Sequence, residues 1–210
     1  MKLFLTNERG RSMIEMLGVL AIVGILSVGG IAGYSKAMYT YRVNKLIDEY
    51  TLFISNILLI KEDLVKLASK SGNSAITPLL KDMGFIPNTW LVNGNYIFDS
   101  TSRKILLFKY SENKVLTINY YLKDFQNSKR PNKESLLLCQ NLWLRIIKPY
   151  QDSLWRAWIW REGENNVLRY GKNFCNTSNN CITDMSLSEI TEDCSSCLDE
   201  KNCRLAIDFE

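Results

Sequence analysis

Hydrophobic positions follow three different regimes along the chain. From Met13 to Tyr34 almost every residue is apolar, interrupted by Glu15, by Ser27 and by Gly18, Gly24, Gly29, Gly30 and Gly33. The run matches the ~20 residues that an α-helix needs to cross a bilayer. In water so many glycines weaken a helix, whereas among packed helices small residues let backbones approach closely. The stretch therefore predicts a helix built to pack against other helices, or to bend.

From Tyr39 to Ala68 the regime changes to an amphipathic helix. Val43, Leu46, Ile47, Tyr50, Ile54, Ile57, Leu58, Leu64, Val65 and Ala68 recur at steps of three and four. Arg42, Lys45, Asp48, Glu49, Lys61, Glu62, Asp63 and Lys66 fall mostly on other faces. No proline or loop signal separates the two regimes. One continuous helix is expected from about Ser12 to about Ser71, on the order of 90 Å long at 1.5 Å per residue. The turn-rich stretch from Ser69 to Ser74, with Pro78 beyond it, marks the stop.

The third regime is one of short β-like runs. Ala75 to Trp90, with Pro78, Gly84 and Pro87, reads as an irregular or short helical connection. Tyr96 to Phe98, Ile105 to Tyr110 and Val115 to Tyr121 follow, separated by turns at residues 100–102 and 111–113, as in an antiparallel meander. After a polar loop, Glu134 to Lys148 has helical spacing and Pro149 ends it. Leu154 to Arg161, Val167 to Tyr170 and Leu205 to Phe209 read as further strands. Lys172 to Cys203 reads as a cysteine-stapled loop region. The fold class expected is α+β: a long N-terminal α-helix packed on an antiparallel β-sheet, with a disulfide-rich C-terminal region.

Composition narrows the chemistry. Of 210 residues, 46% are hydrophobic and 23% charged, which fits a folded core rather than a disordered chain. The net charge of +4 is too small and scattered to make nucleic acid a partner. Histidine is absent, which removes His-dependent triads and His-ligated metals together. No catalytic, cofactor-binding or metal site is expected, and the chain is not read as an enzyme.

Six cysteines, Cys139, Cys175, Cys181, Cys194, Cys197 and Cys203, follow an export-type N-terminal segment. An even count in that context predicts three disulfides in an oxidising compartment, with 15 possible pairings. Cys139 is expected to tether its helix to the C-terminal cluster. A zinc site at Cys194-x-x-Cys197 is the rival reading.

Three smaller features carry weaker signals. Trp155, Trp158 and Trp160 alternate with Arg156 and Arg161. Aromatics interleaved with arginines stack bases or sugars, but a strand that buries Trp158 and Trp160 and shows Arg161 to solvent is the simpler expectation. Lys129, Arg130 and Lys133 read as a solvated loop, and Asn176-Thr177-Ser178 fits a glycosylation sequon.

Glu15 is the residue that the apolar helix does not explain. A carboxylate at mid-bilayer costs a few kcal/mol on insertion scales. The stretch from Gly10 to Ser35 resembles the N-terminus of type IV pilins and pseudopilins. That pattern has a short basic leader, a glycine at the cleavage point, a glutamate five residues later and an apolar helix. Here these are Met1–Gly10, Gly10, Glu15 and Met16–Ile31, with Gly24 and Tyr34 also in place. Leu79-Leu80-Lys81-Asp82-Met83 and Cys139-Gln140-Asn141-Leu142 resemble segments of type IVb-like pilins. Two positions depart from the pattern: Arg11 stands where Phe or Met is usual, and Ala32 where a proline commonly kinks the helix.

The resemblance implies a leader of residues 1–10, a membrane and filament-core helix of residues 11–38 and a globular head of residues 39–210. It implies cleavage by a prepilin peptidase between Gly10 and Arg11 and N-methylation of the new terminus. It further implies a pilin fold that resides in the bacterial inner membrane, in contact with lipid and an assembly platform. Copies of this chain or other pilins would then build a periplasmic or extracellular filament for adhesion or motility. Gly24, Gly29, Gly30 and Gly33 would serve packing and flexibility. Glu15 would meet the terminal amine of a neighbouring subunit, neutralising a costly charge and setting the register. The rival readings are a minor pilin or pseudopilin of a secretion or DNA-uptake system, a periplasmic binding protein with a signal peptide cut after Ala32, and a stably anchored receptor.

Overall fold

A computed structural model of the chain describes residues 13–110, 114–122, 132–163, 165–176, 180–197 and 202–210. The leader with its cleavage point at Gly10 and Arg11, the basic pair Lys129 and Arg130, and Thr177 and Ser178 of the sequon lie outside the described residues, as does the side chain of Lys133. The chain divides between Arg42 and Val43 into two compact units.

The first unit consists of the opening part of helix α1 (Met13–Leu59). No residue from Met13 to Arg42 is buried. The second unit, the head, begins with the remainder of α1. There the three- and four-residue spacing does what it predicts: Val43, Leu46, Ile47, Tyr50, Phe53, Ile54 and Ile57 are all buried.

The single helix expected through Ser71 is interrupted. Ile60 leaves helical geometry at φ −120° and ψ 16°, and α2 (Lys61–Ser71) starts anew. Ile60 donates its N–H to the Ile57 carbonyl at 3.1 Å, a tight i to i−3 closure of α1. No glycine or proline marks this break. The apolar residues Leu64, Val65 and Ala68 still reach the core.

Two more elements precede the sheet proper: α3 (Ile76–Asp82) and the hairpin β1 (Leu91–Asn93) with β2 (Tyr96–Phe98). Gly94 supplies the positive φ of 59° that the two-residue hairpin loop requires. The strands β3 (Lys104–Tyr110), β4 (Val115–Tyr121), β5 (Leu154–Arg161), β6 (Val167–Tyr170) and β7 (Cys203–Phe209) complete a seven-stranded open sheet in the order β1-β2-β3-β4-β7-β5-β6. Every pairing is antiparallel. The last strand therefore lies inside the sheet, between β4 and β5.

Alternation sets two faces. Ile105, Leu107, Leu116, Ile118, Leu205, Ile207, Ala157 and Ile159 are buried in or beside the core with the helices. The Glu134–Lys148 helix is found as α4 (Asn132–Leu142) followed by a wider turn over Trp143–Ile147. Within Lys172–Cys203, expected as loop, a fifth helix, α5 (Leu187–Ser195), forms. Its start is written locally. The Ser186 hydroxyl accepts from the Glu189 N–H at 3.2 Å, and Glu189 reaches back to the Ser186 N–H at 2.7 Å. This is a capping box, and those bonds hold the Glu189 carboxyl below its ordinary range.

Candidate functional site: an exposed apolar helix and a disulfide-closed head

Among the described residues, none of the apolar stretch of α1 is buried. Met13, Leu17, Leu20, Ile25, Leu26 and Val28 are exposed. The helix is long and apolar enough to cross a membrane. Its polar groups are handled locally: Ser27 Oγ donates to the Val23 carbonyl at 2.7 Å, four residues back.

The glycines of this stretch are open. A Cβ placed on Gly18, Gly24, Gly29, Gly30 or Gly33 would meet nothing within 4 Å. Among the described residues no contact requires glycine there, in contrast to Gly171, whose added Cβ would stand 1.9 Å from the Leu154 carbonyl oxygen. At about 100° per residue, Gly18, Gly29, Gly30 and Gly33 fall within about 60° of the line through Glu15, while Gly24 falls opposite. Glu15 lies in the first described turn of α1. The helix thus groups one acid and four glycines on one face, a grouping that linear inspection of the sequence does not reveal.

The six cysteines form three disulfides. Cys139 joins Cys194, tying α4 to α5 across 55 residues of sequence. The tether expected of Cys139 is present, and its partner is now defined. Cys175 joins Cys181, and Cys197 joins Cys203. Cys194 and Cys197 therefore belong to different disulfides, which removes the zinc reading of that pair.

Two buried polar groups fix the head. The Tyr50 hydroxyl donates to Asp99, whose other carboxylate oxygen accepts from the Arg103 N–H at 2.9 Å and the Thr101 hydroxyl at 2.6 Å. Arg103 in turn lies 3.5 Å from Glu134 of α4, both buried. This set links α1, the β2–β3 turn and α4. Burial first, and then the Asp99 carboxylate, pushes the Tyr50 hydroxyl well above its ordinary pKa, and burial alone does the same to Tyr120. On α5, Asp193 accepts two hydrogen bonds from Arg169 of β6, each 2.9 Å.

The tryptophan strand corrects its simpler reading. Leu154, Ala157 and Ile159 are the buried members of β5, and Trp158 and Trp160 are only half-buried on the face opposite Ala157 and Ile159. Arg161, expected in solvent, is partly buried and donates to the Asn165 carbonyl at 3.0 Å. The reason lies in register: Trp158 stands opposite Ala206, and Arg156 opposite Asp208. Asp208, fully buried, accepts from Arg156 at 2.7 Å, Trp158 at 3.2 Å and Thr117 at 2.6 Å. A carboxylate in that position draws Arg156 and the Trp158 indole N–H to its own face.

No family model, curated protein or solved structure matches the chain. The long apolar N-terminal helix and antiparallel sheet are compatible with a pilin-like fold.

Proposed function

We propose that this chain is a type IV pilin-like filament subunit, anchored in a membrane by its N-terminal helix before assembly and packed by the same helix afterwards. The observation that carries the reading is the apolar stretch of α1, exposed throughout, with glycines whose missing side chains would meet nothing within 4 Å among the described residues. Apolar surface on this scale requires an outside partner. Lipid covers the large side chains, and neighbouring helices use the small ones.

The leader pattern ending at Gly10 supports removal of residues 1–10 by a prepilin peptidase. The amine released at Arg11 is a cation about one helical turn from Glu15. In a staggered bundle, Glu15 of one subunit meets the terminal amine of the next, so that neither charge stays uncompensated in an apolar core. Such a filament serves surface functions such as adhesion or motility.

The test is mass spectrometry of filaments sheared from cells that express the chain, beside a Glu15→Ala variant. A dominant band of this protein that falls away in the variant is the expected result. Its absence from the sheared fraction, with the protein retained in membranes, supports the anchored receptor. Unchanged cleavage and filament yield in Glu15→Ala overturns the role given to Glu15.

A further inference from the structure

Beside β3, β4 and β7 the head carries a cavity of about 420 Å³, within the ~300–1,000 Å³ of small-ligand sites. Asn119 of β4 and Arg204 of β7 line it, together with Asn73, Asn95, Tyr96 and residues 106–108 of β3. Asn119 is 1% exposed, and its side-chain carbonyl oxygen has no hydrogen-bond partner. The Arg204 Nε is also buried without one. A buried acceptor and a buried donor lining one cavity, both unsatisfied, cost the fold about 1–3 kcal/mol each. Such groups call for an explanation, and an absent ligand supplies one.

The rest of the Arg204 guanidinium is positioned. It stacks 4.4 Å from the Trp160 ring centre and donates to the Tyr121 hydroxyl at 3.5 Å. Rings at Tyr96 and Phe108 give the cavity flat apolar surfaces. Among the described residues no carboxylate lines it and a guanidinium does, so a cation is not the guest. Nor is a polyphosphate strand: Arg204 is the single cation among the described lining residues, and the neighbouring Lys104 ammonium is seated on the Tyr96 ring, 3.6 Å from its centre, whereas nucleic-acid backbones are bound by several cations at once.

We propose that this cavity is a saccharide-binding site. A sugar hydroxyl is donor and acceptor in one group. It donates to the Asn119 carbonyl oxygen and accepts from the Arg204 N–H, satisfying both orphans, while the C–H face of the ring lies on Tyr96 or Phe108. Three carboxamides, one guanidinium and two rings suit a hydroxyl-rich guest. The site belongs to the head alone and does not depend on how, or whether, the chain assembles.

The experiment is a binding screen of the full-length protein in detergent against immobilised neutral and acidic oligosaccharides, with a single-stranded oligothymidylate as the competing probe. Saturable binding of at least one oligosaccharide is expected. Arg204→Ala and Asn119→Leu should each weaken it at least about tenfold, and Arg145→Ala, remote in the head and paired with Asp48, should leave it unchanged. Asn119 is buried, so its variant is read only if its circular dichroism and three disulfides match the parent; Phe108→Ala replaces it otherwise, with the same expected loss. No oligosaccharide bound at millimolar concentration, binding of the oligothymidylate alone, or sugar binding that survives Arg204→Ala each overturns the proposal.

Discussion

Helix α1 holds two stretches of opposite settings. From Met13 to Arg42 no side chain is buried, and Leu20, Ile25 and Val28 expose more than half of their surface. From Val43 to Leu59 seven side chains are buried. The second stretch alternates apolar and charged positions because it has one partner, its own sheet. Up to Tyr34 the first carries large apolar side chains over most of its surface, broken by the face that holds Glu15 and four glycines, the pattern of a helix that meets apolar surroundings outside the chain. The contrast teaches that helix content alone says nothing about role; the distribution of apolar residues around the axis identifies which stretch is satisfied within the chain.

The contrast breaks most sharply under truncation. Phe53→Ala, in the buried stretch, should destabilise the head by about 3–5 kcal/mol. Leu26→Ala, in the exposed stretch, should change it by less than about 0.5 kcal/mol. Urea melts in detergent, followed by tryptophan fluorescence, compare the two. Equal losses would mean that the exposed stretch is a structural part of the head.

Next comes the Cys139–Cys194 bridge, which closes a long loop. Replacing both cysteines by serine should cost about 2–4 kcal/mol of head stability, read as a lower urea midpoint. It should leave membrane association, the property of the other stretch, as it was in a flotation assay.

A smaller effect separates the two buried tyrosines. Tyr50→Phe removes a donor from Asp99 and should cost about 1–3 kcal/mol. Both hydroxyls titrate above the ordinary tyrosine value of about 10 in the folded head. Above that pH the unfolded chain releases protons that the folded chain keeps, so stability is level below about pH 10 and falls as pH rises further. Thermal midpoints of the parent should show that fall, and a Tyr50→Phe, Tyr120→Phe double variant should show a shallower one.

Tyr120→Phe alone gives the smallest change. The Tyr120 hydroxyl is buried without a hydrogen-bond partner, so its removal relieves a desolvated group and should leave the head equally or slightly more stable at neutral pH. A clear loss would reveal a bond to that hydroxyl.

Much of this architecture is legible in the sequence, and the failures have physical reasons. Short β-like runs between turn signals located β2 to β7, and steps of three and four located all but Phe53 of the buried α1 face. The break at Ile60 has no local signal, since neither glycine nor proline is present and tertiary packing decides it. Helix α5 did have a signal, the Ser186…Glu189 capping box, hidden in a stretch that the cysteines made look like loop. The β1–β2 hairpin had another, Gly94-Asn95 between short apolar runs. Which face Trp158 and Trp160 adopt depends on Asp208, 50 residues away in sequence, and no period within β5 encodes that. Among the candidate site residues, Glu15 and the glycines stood out because they violate the apolar pattern. Asn119 and Arg204 did not, because a polar residue in a strand looks solvated until its neighbours in the sheet are known.

The N-terminal residue of the mature protein, sequenced from bacterial membranes or filaments, tests the central claim most directly. The account predicts Arg11, with residues 1–10 removed and Glu15 fifth in the mature chain. Met1 would leave an uncleaved anchor and Gly33 a removed signal peptide; either result would contradict the assignment of α1 as a filament-forming helix.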